Sequence, residues 1–266
     1  MPPETQRRYD DAVAALLRQF SWNPWFVDTY WPENEPRVRL MVAKAVERFP
    51  GADAEVLDVG CGLGHITFVL ARCGFRIRGT DAYEDKDRAA LFQQAGIAYL
   101  PCNLNHPEPL PGLPPASFDL VLLGEVIEHI LNHPLGLMRS LAGLLRPGGW
   151  LFLTTPNPST AMNALRTLLD RHALWGTPEF MKHPKFDPVA GIIDRGEIHY
   201  REYRAGELRD LARDAGLTPG EAGFLMPANR RGERALKAAF KGLFRTSLGS
   251  TRVFGSDQYL LCQKPR

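Results

Sequence analysis

The sequence predicts an α/β fold built on a doubly wound, mostly parallel sheet. Three observations support this prediction: apolar strands alternate with helices from residue 55 onward, a glycine-rich turn follows the first strand, and an acidic residue ends the second. The chain has 266 residues, of which 44% are hydrophobic and 23% charged, so it can bury a sizeable core. This composition excludes a chain that is disordered as a whole.

The N-terminal residues, 1–49, are predicted to form a helical cap. Apolar side chains recur at helical spacing over 10–20 and again over 36–49. Between these stretches lies an aromatic cluster, which we interpret either as packing within the cap or as one wall of a ligand pocket. The cluster consists of Trp22, Trp25, Phe26, Tyr30 and Trp31.

The main domain is predicted to cover residues 50–266, with strands and helices in alternation. Units of this length form right-handed crossovers, which make the strands parallel and cover both faces of the sheet with helices. The predicted strands cover 54–60, 75–81, 97–102, 118–124, 150–156, 217–225 and 257–263. The predicted helices cover 66–74, 85–96, 134–145, 160–172 and 204–216.

Two segments of the main domain are expected to lie outside the regular sheet. Residues 157–199 form an insertion after the fifth strand, and the part beyond the helix is predicted to be a lid that selects the substrate. Residues 230–252 carry seven Lys and Arg residues and one Glu, with apolar residues on one helical face. This basic segment fits a helix packed on the domain, a helix on a membrane surface, or a site for an anionic acceptor.

Charge and cysteine content limit the class of protein further. Lys and Arg number 32 against 30 Asp and Glu, so the whole chain lacks the basic excess of a nucleic-acid binder. The N-terminus does not resemble a signal peptide and no stretch is long and apolar enough to span a membrane, which predicts a cytoplasmic protein. The alternative is a cytoplasmic protein that is attached peripherally to a membrane surface through residues 230–252. The four cysteines form no Cys-x-x-Cys pair, which predicts reduced thiols.

A glycine-rich turn marks the place where the first strand leads into a helix. Residues 58–64 read Asp-Val-Gly-Cys-Gly-Leu-Gly, and such glycines allow a sharp turn and a close approach to a ligand. A dinucleotide fingerprint beginning at Gly60 requires glycine at the position of His65. Asp81 ends the second strand, where a carboxylate can accept hydrogen bonds from both ribose hydroxyls. Together these signals indicate a ligand with a nucleoside but no pyrophosphate.

Four motifs in this order resemble the class I S-adenosylmethionine-dependent methyltransferases, with a core similar to that of ubiquinone-pathway O-methyltransferases. The resemblance covers residues 50–156 and returns in 199–217. The motifs are DVGCGLG (58–64), TD (80–81), SFDLVLLGEVIEH (117–129) and LLRPGGWLFLTTPN (144–157).

The resemblance implies a Rossmann-like methyltransferase fold of seven strands, with S-adenosyl-L-methionine across the carboxyl ends of the first strands. The three glycines would approach its methionine and ribose, Asp58 would hold the loop and the amino group, and Asp81 would bind the ribose. Asn103 stands where the family often has Asp near the adenine, and its carbonyl can accept the same hydrogen bond. The implied cofactor-binding residues are Asp58, Gly60, Cys61, Gly62, Gly64, Asp81, Ala82, Asn103, Leu104 and Gly124.

Acidic residues and a histidine follow the fourth strand directly. If this segment is a helical turn, Glu125, Glu128 and His129 converge on one face. Two carboxylates and an imidazole held together favour a cation between them. The Glu-x-x-Glu-His pattern is similar to the site of small-RNA 3′-terminal 2′-O-methyltransferases, with His199 as the candidate fourth ligand of Mg²⁺ or Mn²⁺. The alternatives are metal-free catalysis, with His129 as general base beside Glu128, and purely structural roles.

These observations predict an S-adenosylmethionine-dependent methyltransferase. We expect O-methylation of a hydroxylated small molecule, sugar or glycan, assisted by a divalent metal. One alternative is a metal-free N-methyltransferase acting on an amine-bearing metabolite. A second is an RNA 3′-terminal 2′-O-methyltransferase, against which the near-neutral charge argues. The last is a protein that binds the cofactor without catalysis.

Overall fold

The chain begins with two helices that pack on one face of a central sheet. The structure, a computed structural model, describes residues 1–106, 110–131, 133–169, 199–226 and 254–266, and the backbone of 185–187 and 191–193. Helix α1 (Pro3–Gln19) and helix α2 (Trp31–Arg48) are separated by a π-helical turn (Phe26–Tyr30). Both helices are longer than the stretches predicted from apolar spacing. Each carries a proline in its first turn, where the missing N–H has no helical partner to lose.

The main sheet has seven strands in the order β3-β2-β1-β4-β5-β9-β8. The first five strands are parallel, and β9 runs antiparallel to both of its neighbours. The predicted doubly wound, mostly parallel sheet is thereby confirmed. The strands are β1 (Glu55–Val59), β2 (Arg76–Asp81), β3 (Ala98–Pro101), β4 (Phe118–Gly124), β5 (Leu145–Pro156), β8 (Thr218–Leu225) and β9 (Asp257–Gln263), with β6 (Lys185–Asp187) and β7 (Gly191–Ile193) forming a separate antiparallel pair.

Helices cover both faces of this sheet. The helices of the main domain are α3 (His65–Arg72), α4 (Lys86–Ala95), α5 (Pro134–Leu144), α6 (Ala161–Leu168) and α7 (Ala205–Asp214). Strand β4 shows the alternation that two covered faces require: Leu120 and Leu122 pack in the core with α1, α2 and α3, whereas Val121 and Leu123 pack in the core with α5 and α7.

The N-terminal helices share a core with the sheet. Tyr9 of α1 and Phe26 of the π-helical turn are buried in the same cluster as Phe68 of α3 and Phe152 of β5. The cap of residues 1–49 therefore contributes directly to the hydrophobic core on that face.

The two segments outside the sheet are described only in part. Helix α6 confirms the beginning of the helix predicted over 160–172 and ends at Leu168. Most of the lid predicted within 157–199 and the whole basic segment 230–252 lie outside the described residues. Among the helices that are described, none is long and apolar enough to cross a membrane.

Candidate functional site

A cleft of about 630 Å³ opens at the carboxyl ends of β1 to β4. It lies where the strand order reverses between β1 and β4, which is where ligands bind in open α/β sheets. The loops after all four strands line it, as do residues from the π-helical turn and α2. Of the residues that the resemblance assigned to cofactor binding, all except Gly64 are on its walls.

The glycine loop has one position that faces open space. Gly60, Gly62 and Gly64 all have positive φ angles, of +72°, +53° and +75°. A Cβ at Gly60 would overlap Val126, and one at Gly64 would come within 2.6 Å of Phe92, whereas Gly62 has no described neighbour within 4 Å. The expectation that all three glycines approach the ligand is therefore corrected. Gly64 packs against α4, and its positive φ allows the chain to turn into α3.

Asp81 joins the glycine loop to the end of β2. One carboxylate oxygen accepts a hydrogen bond from the Gly62 N–H at 2.8 Å, and the other accepts one from the Tyr83 N–H at 3.2 Å. Beneath it lies Arg88, which is 3% exposed and donates to the Gly62 carbonyl at 2.6 Å and to the Tyr99 hydroxyl at 2.9 Å. The sequence analysis missed Arg88 because a charged residue within a helix is usually exposed.

Asp58 lies at the bottom of the cleft and is 2% exposed. It accepts a hydrogen bond from the Thr67 hydroxyl at 2.6 Å. Burial raises the pKa of Asp58 to about 6, because a charged carboxylate loses its hydration there. The site therefore favours a positively charged partner for Asp58, which an amino group of a ligand would provide.

The loop after β3 places Asn103 and Leu104 on the cleft wall. The Asn103 side-chain oxygen accepts a hydrogen bond from the Asn105 N–H at 3.0 Å. An amide oxygen has two lone pairs and can accept more than one hydrogen bond. Asn105 in turn reaches across to the loop after β4, which carries the acidic and histidine residues.

Three further side chains on the cleft wall form a group that we call the ligand cluster: Glu128, His129 and His199. One ligand atom from each residue lies within 4.8 Å of the others. Glu128 is fully buried, and one oxygen accepts a hydrogen bond from the Thr155 hydroxyl at 2.8 Å. The other oxygen has no hydrogen-bond partner in the described part of the chain and lies 3.9 Å from His129 Nε2. Burial and then repulsion from Glu125 raise the pKa of Glu128 to about 8.

His199 reaches the cluster although it lies 70 residues further along the chain than His129. The Tyr200 N–H donates to the Glu128 carbonyl at 2.8 Å, which fixes the neighbouring backbone against the turn. The rings of His129 and His199 lie 4.9 Å apart, edge to face. The structure thus brings together three of the four predicted metal ligands.

Glu125 is the predicted ligand that does not join this cluster. The predicted convergence was wrong for Glu125 because the turn is a short 3₁₀ helix over Ile127–His129, and Glu125 precedes it with φ +55°. Its carboxylate lies 3.1 Å from the Arg37 guanidinium, which is nine-tenths buried. Asp257, at the start of β9, is a further acid here: burial and then the charge of Glu125 raise its pKa to about 7. Sequence reasoning missed Arg37 and Asp257.

The N-terminal aromatic cluster serves both predicted purposes. Phe26 and Trp31 are buried in the core. Trp25 and Tyr30 line the cleft, with their rings 5.0 Å apart, and Trp25 is 56% exposed. His65, which is buried behind them, presents its ring edge-on to Tyr30 and Trp31.

Comparisons with known proteins agree with this geometry. A family model described as a methyltransferase domain matches residues 30–221. The chain belongs to the class I S-adenosylmethionine-dependent methyltransferases. This methyltransferase is 31% identical over 182 residues, 68% of each chain, to a ubiquinone biosynthesis O-methyltransferase of Xanthomonas campestris. It is 33% identical over 175 residues, 65% of its own length and 66% of the relative's, to the protein of the same name from Ralstonia nicotianae.

Solved structures share the fold of this methyltransferase. A SAM-dependent methyltransferase from Archaeoglobus fulgidus matches with a TM-score of 0.55 at 17% identity, over 89% of this chain and 100% of that one. A Burkholderia thailandensis 1,6-didemethyltoxoflavin-N1-methyltransferase with bound S-adenosylhomocysteine matches with a TM-score of 0.55 at 17% identity, over 97% of this chain and 90% of that one. At this identity the similarity establishes the fold alone.

The cleft residues fit S-adenosylmethionine, the methyl donor of this family. Gly62 leaves space for a ligand against the backbone, and Asp81 presents carboxylate oxygens beside it. Asp58 offers a buried carboxylate to an amino group. Each of these three features is a property of this chain's own residues, and together they match the ribose and amino-acid parts of the cofactor.

Proposed function

We propose that this methyltransferase transfers a methyl group to an oxygen atom of a hydroxylated small molecule, sugar or glycan, with a divalent cation held by the ligand cluster. The observation that carries the proposal is the position of Glu128, His129 and His199 on the wall of the cofactor cleft. The names of the curated relatives, which are O-methyltransferases, support oxygen as the accepting atom.

The donor atoms of the ligand cluster lie close enough together to share one divalent cation. They all lie within 4.8 Å of one another, and the ligands of one octahedral Mg²⁺ ion lie about 3 to 4 Å apart, so the side chains would have to close in by up to about 2 Å. The Glu128 carboxylate is a donor that suits both Mg²⁺ and Mn²⁺, whereas two imidazole nitrogens suit a transition metal, so this donor set favours Mn²⁺ over Mg²⁺. A buried carboxylate oxygen without a partner is costly, and a cation would relieve that cost. Three protein ligands would leave coordination positions for oxygens of the acceptor.

Methyl transfer requires mainly alignment of the two reactants. When bound, S-adenosylmethionine supplies an electrophilic methyl group, and a divalent cation lowers the pKa of a hydroxyl beside it. The acceptor would be held by the ligand cluster and the aromatic side chains of Trp25 and Tyr30, which line the same cleft. The transfer would break the sulfur–carbon bond, form the oxygen–carbon bond and release the hydroxyl proton to solvent. His129, as a cation ligand, has no lone pair left for that proton, and it is the general base only in the metal-free alternative. The products are a methyl ether and S-adenosylhomocysteine.

The metal is tested by titrating Mn²⁺ into protein saturated with S-adenosylhomocysteine and following free Mn²⁺ by electron paramagnetic resonance. We expect one saturable site in the wild type and a loss of at least tenfold in affinity in Glu128→Gln. Glu84→Gln is the matched control, since Glu84 lines the same cleft outside the ligand cluster and its loss should leave Mn²⁺ binding unchanged. Absence of Mn²⁺ binding in the wild type would refute the metal and leave His129 as a metal-free general base.

The acceptor is tested by measuring S-adenosylhomocysteine formation with panels of compounds. One panel carries adjacent hydroxyls, on sugars, glycans or aromatic rings, and the other carries amines. We expect turnover with the first panel and a mass increase of one methyl group in the product. Turnover confined to amines would support the N-methyltransferase alternative, and turnover of RNA with a free 3′ end would support the RNA alternative.

A further inference from the structure

We propose that Asn105 couples cofactor binding to the ligand cluster, so that the cofactor sets the position of His129 before cation and acceptor bind. The proposal rests on the function proposed above for that cluster. It assigns a positioning task to a residue that is part of no sequence motif described above. The coupling has three links, each a contact between described residues.

The first link lies in the loop after β3, where Asn103 faces the cleft on the side expected to bind adenine. Its side-chain oxygen accepts the Asn105 N–H at 3.0 Å, which closes a tight Asx turn. The side chain that would meet the cofactor therefore also holds the backbone of Asn105. A ligand that immobilises Asn103 immobilises Asn105 with it.

The second link crosses from this loop to the loop after β4. The Asn105 side-chain amide donates to the His129 carbonyl at 3.2 Å, and its oxygen accepts the Leu131 N–H at 2.8 Å. A single amide thus clamps the backbone on both sides of Ile130, as a neighbouring strand would. Two bonds to one planar group restrict both the distance and the rotation of the segment from His129 to Leu131.

The third link is the ligand cluster itself. The clamped backbone belongs to His129, and the adjacent residue Glu128 is held from the other side by the Tyr200 N–H and the Thr155 hydroxyl. The turn is thus fixed between contacts from the loop after β3, from β5 and from the segment of His199. When Asn105 is immobilised, the backbone of His129 is immobilised with it, and this restricts the position of the His129 imidazole.

Coupling of this kind works in both directions, because a cofactor that tightens cation binding is itself bound more tightly in the presence of the cation. We expect S-adenosylhomocysteine to tighten Mn²⁺ binding about tenfold in the wild type, within the range typical of coupled sites. In Asn105→Ala the factor should fall below about twofold. The matched control is Gln263→Ala, which removes another amide that bonds to a backbone carbonyl, that of Gly148, at the end of the sheet remote from the cleft.

A second readout does not depend on the metal. Hydrogen exchange of the Leu131 amide, followed by nuclear magnetic resonance, should slow about tenfold when S-adenosylhomocysteine binds to the wild type or to Gln263→Ala. In Asn105→Ala the cofactor should leave this exchange rate unchanged, while its own affinity remains within about threefold of the wild type. A residue with a merely structural role would lower the melting temperature without altering this dependence on the cofactor.

The outcomes separate the two proposals. If the wild type binds no Mn²⁺, the metal of the proposed function is refuted, and the exchange of the Leu131 amide alone decides the coupling. If Mn²⁺ binds equally well with and without S-adenosylhomocysteine, the coupling is refuted and the metal site stands. Slowing of the Leu131 amide that persists in Asn105→Ala, or that is absent from the wild type, also overturns the coupling.

Discussion

Two glycines of the cofactor loop have similar backbone angles but different surroundings. Gly60 and Gly62 both have φ between +50° and +75°, where a side chain of the L configuration is strained. A Cβ at Gly60 would enter Val126, whereas a Cβ at Gly62 would enter the cleft. The first glycine is therefore required by the protein's own packing, and the second by the space left for the ligand.

Alanine at each position should separate these two requirements. Gly62→Ala should lower the free energy of unfolding by only about 1 kcal/mol, the cost of backbone strain, yet weaken S-adenosylhomocysteine binding at least tenfold. Gly60→Ala should cost about 3 kcal/mol, because overlap with Val126 adds to the strain. Denaturant unfolding measures the first quantity and isothermal titration calorimetry the second. Binding of wild-type strength in Gly62→Ala would contradict the assignment.

The residues predicted from sequence are those whose positions follow from the ends of strands. Asp58 is the last residue but one of β1, and Asp81 ends β2. The carboxyl ends of parallel strands meet at one edge of a sheet, so both residues reach the cleft. Arg37 could not be predicted in this way, because its place depends on how α2 packs. Glu125 was predicted in the wrong place because it has a positive φ. The spacing of the motif does not reveal the backbone angle of a single residue.

At the scale of elements, a partly buried charge cluster joins α2, β4 and β9. Arg37 of α2 contacts Glu125, which follows β4, and Asp257 begins β9. The charges of Glu125 and of Asp257 both act on Arg37. The Arg37 guanidinium thus faces two carboxyl groups. The raised pKa of Asp257 indicates that Asp257 is the one that is more readily protonated.

A double-mutant cycle should reveal whether Asp257 replaces Glu125 as the counter-ion of Arg37. Glu125→Gln should be tolerated better than an ordinary broken buried pair, since Asp257 can ionise and take over as the counter-ion of Arg37. The double variant with Asp257→Asn should lose about 3 to 5 kcal/mol of unfolding free energy, and more than the sum of the single losses by at least about 1 kcal/mol.

Glu47→Gln is the control for this cycle, because Glu47 pairs with Lys44 on the surface and exposed pairs contribute little. Unfolding in denaturant at neutral pH measures all of the variants. Additive losses would show that Asp257 does not compensate.

At the scale of the whole molecule, the buried Asp58 makes stability depend on pH. Its pKa rises from the ordinary 3.8 to about 6 in the folded protein, because burial disfavours the charged form. Between these values the folded protein binds more protons than the unfolded chain, so the free energy of unfolding falls as pH rises. The contribution is fully present below pH 4 and lost above pH 6, a change of about 3 kcal/mol.

Asp58→Asn should remove this dependence in the absence of ligand. The unfolding free energy of the variant minus that of the wild type should increase by about 3 kcal/mol between pH 4 and pH 7. Taking the difference removes the contributions of the other titrating groups, which both proteins share. Denaturant titrations across this range provide the measurement. A difference that stays constant with pH would refute the cause given for the shift.

The fold as a whole followed from the sequence because hydrophobic periodicity reports local structure directly. The predicted strands of the parallel half match the observed ones to within one residue at each end, except at the beginning of β5. This strand starts at Leu145, because Pro147 and two glycines read as a turn although Leu145 already pairs with Phe118. The order of β8 and β9 could not be derived from periodicity, since it depends on which edges meet in space.

The last strand along the chain lies inside the sheet, between β5 and β8. During synthesis on the ribosome, the outer edge of β5 has no neighbouring strand until residues 257–263 emerge. Strand β8 also has no strand to pair with until then. Asp257 is made with that strand, long after Arg37, on which its charge acts. The half of the sheet that lines the cofactor cleft can thus fold early in translation. The outer edge of β5, in contrast, is exposed to other chains until synthesis has passed β9.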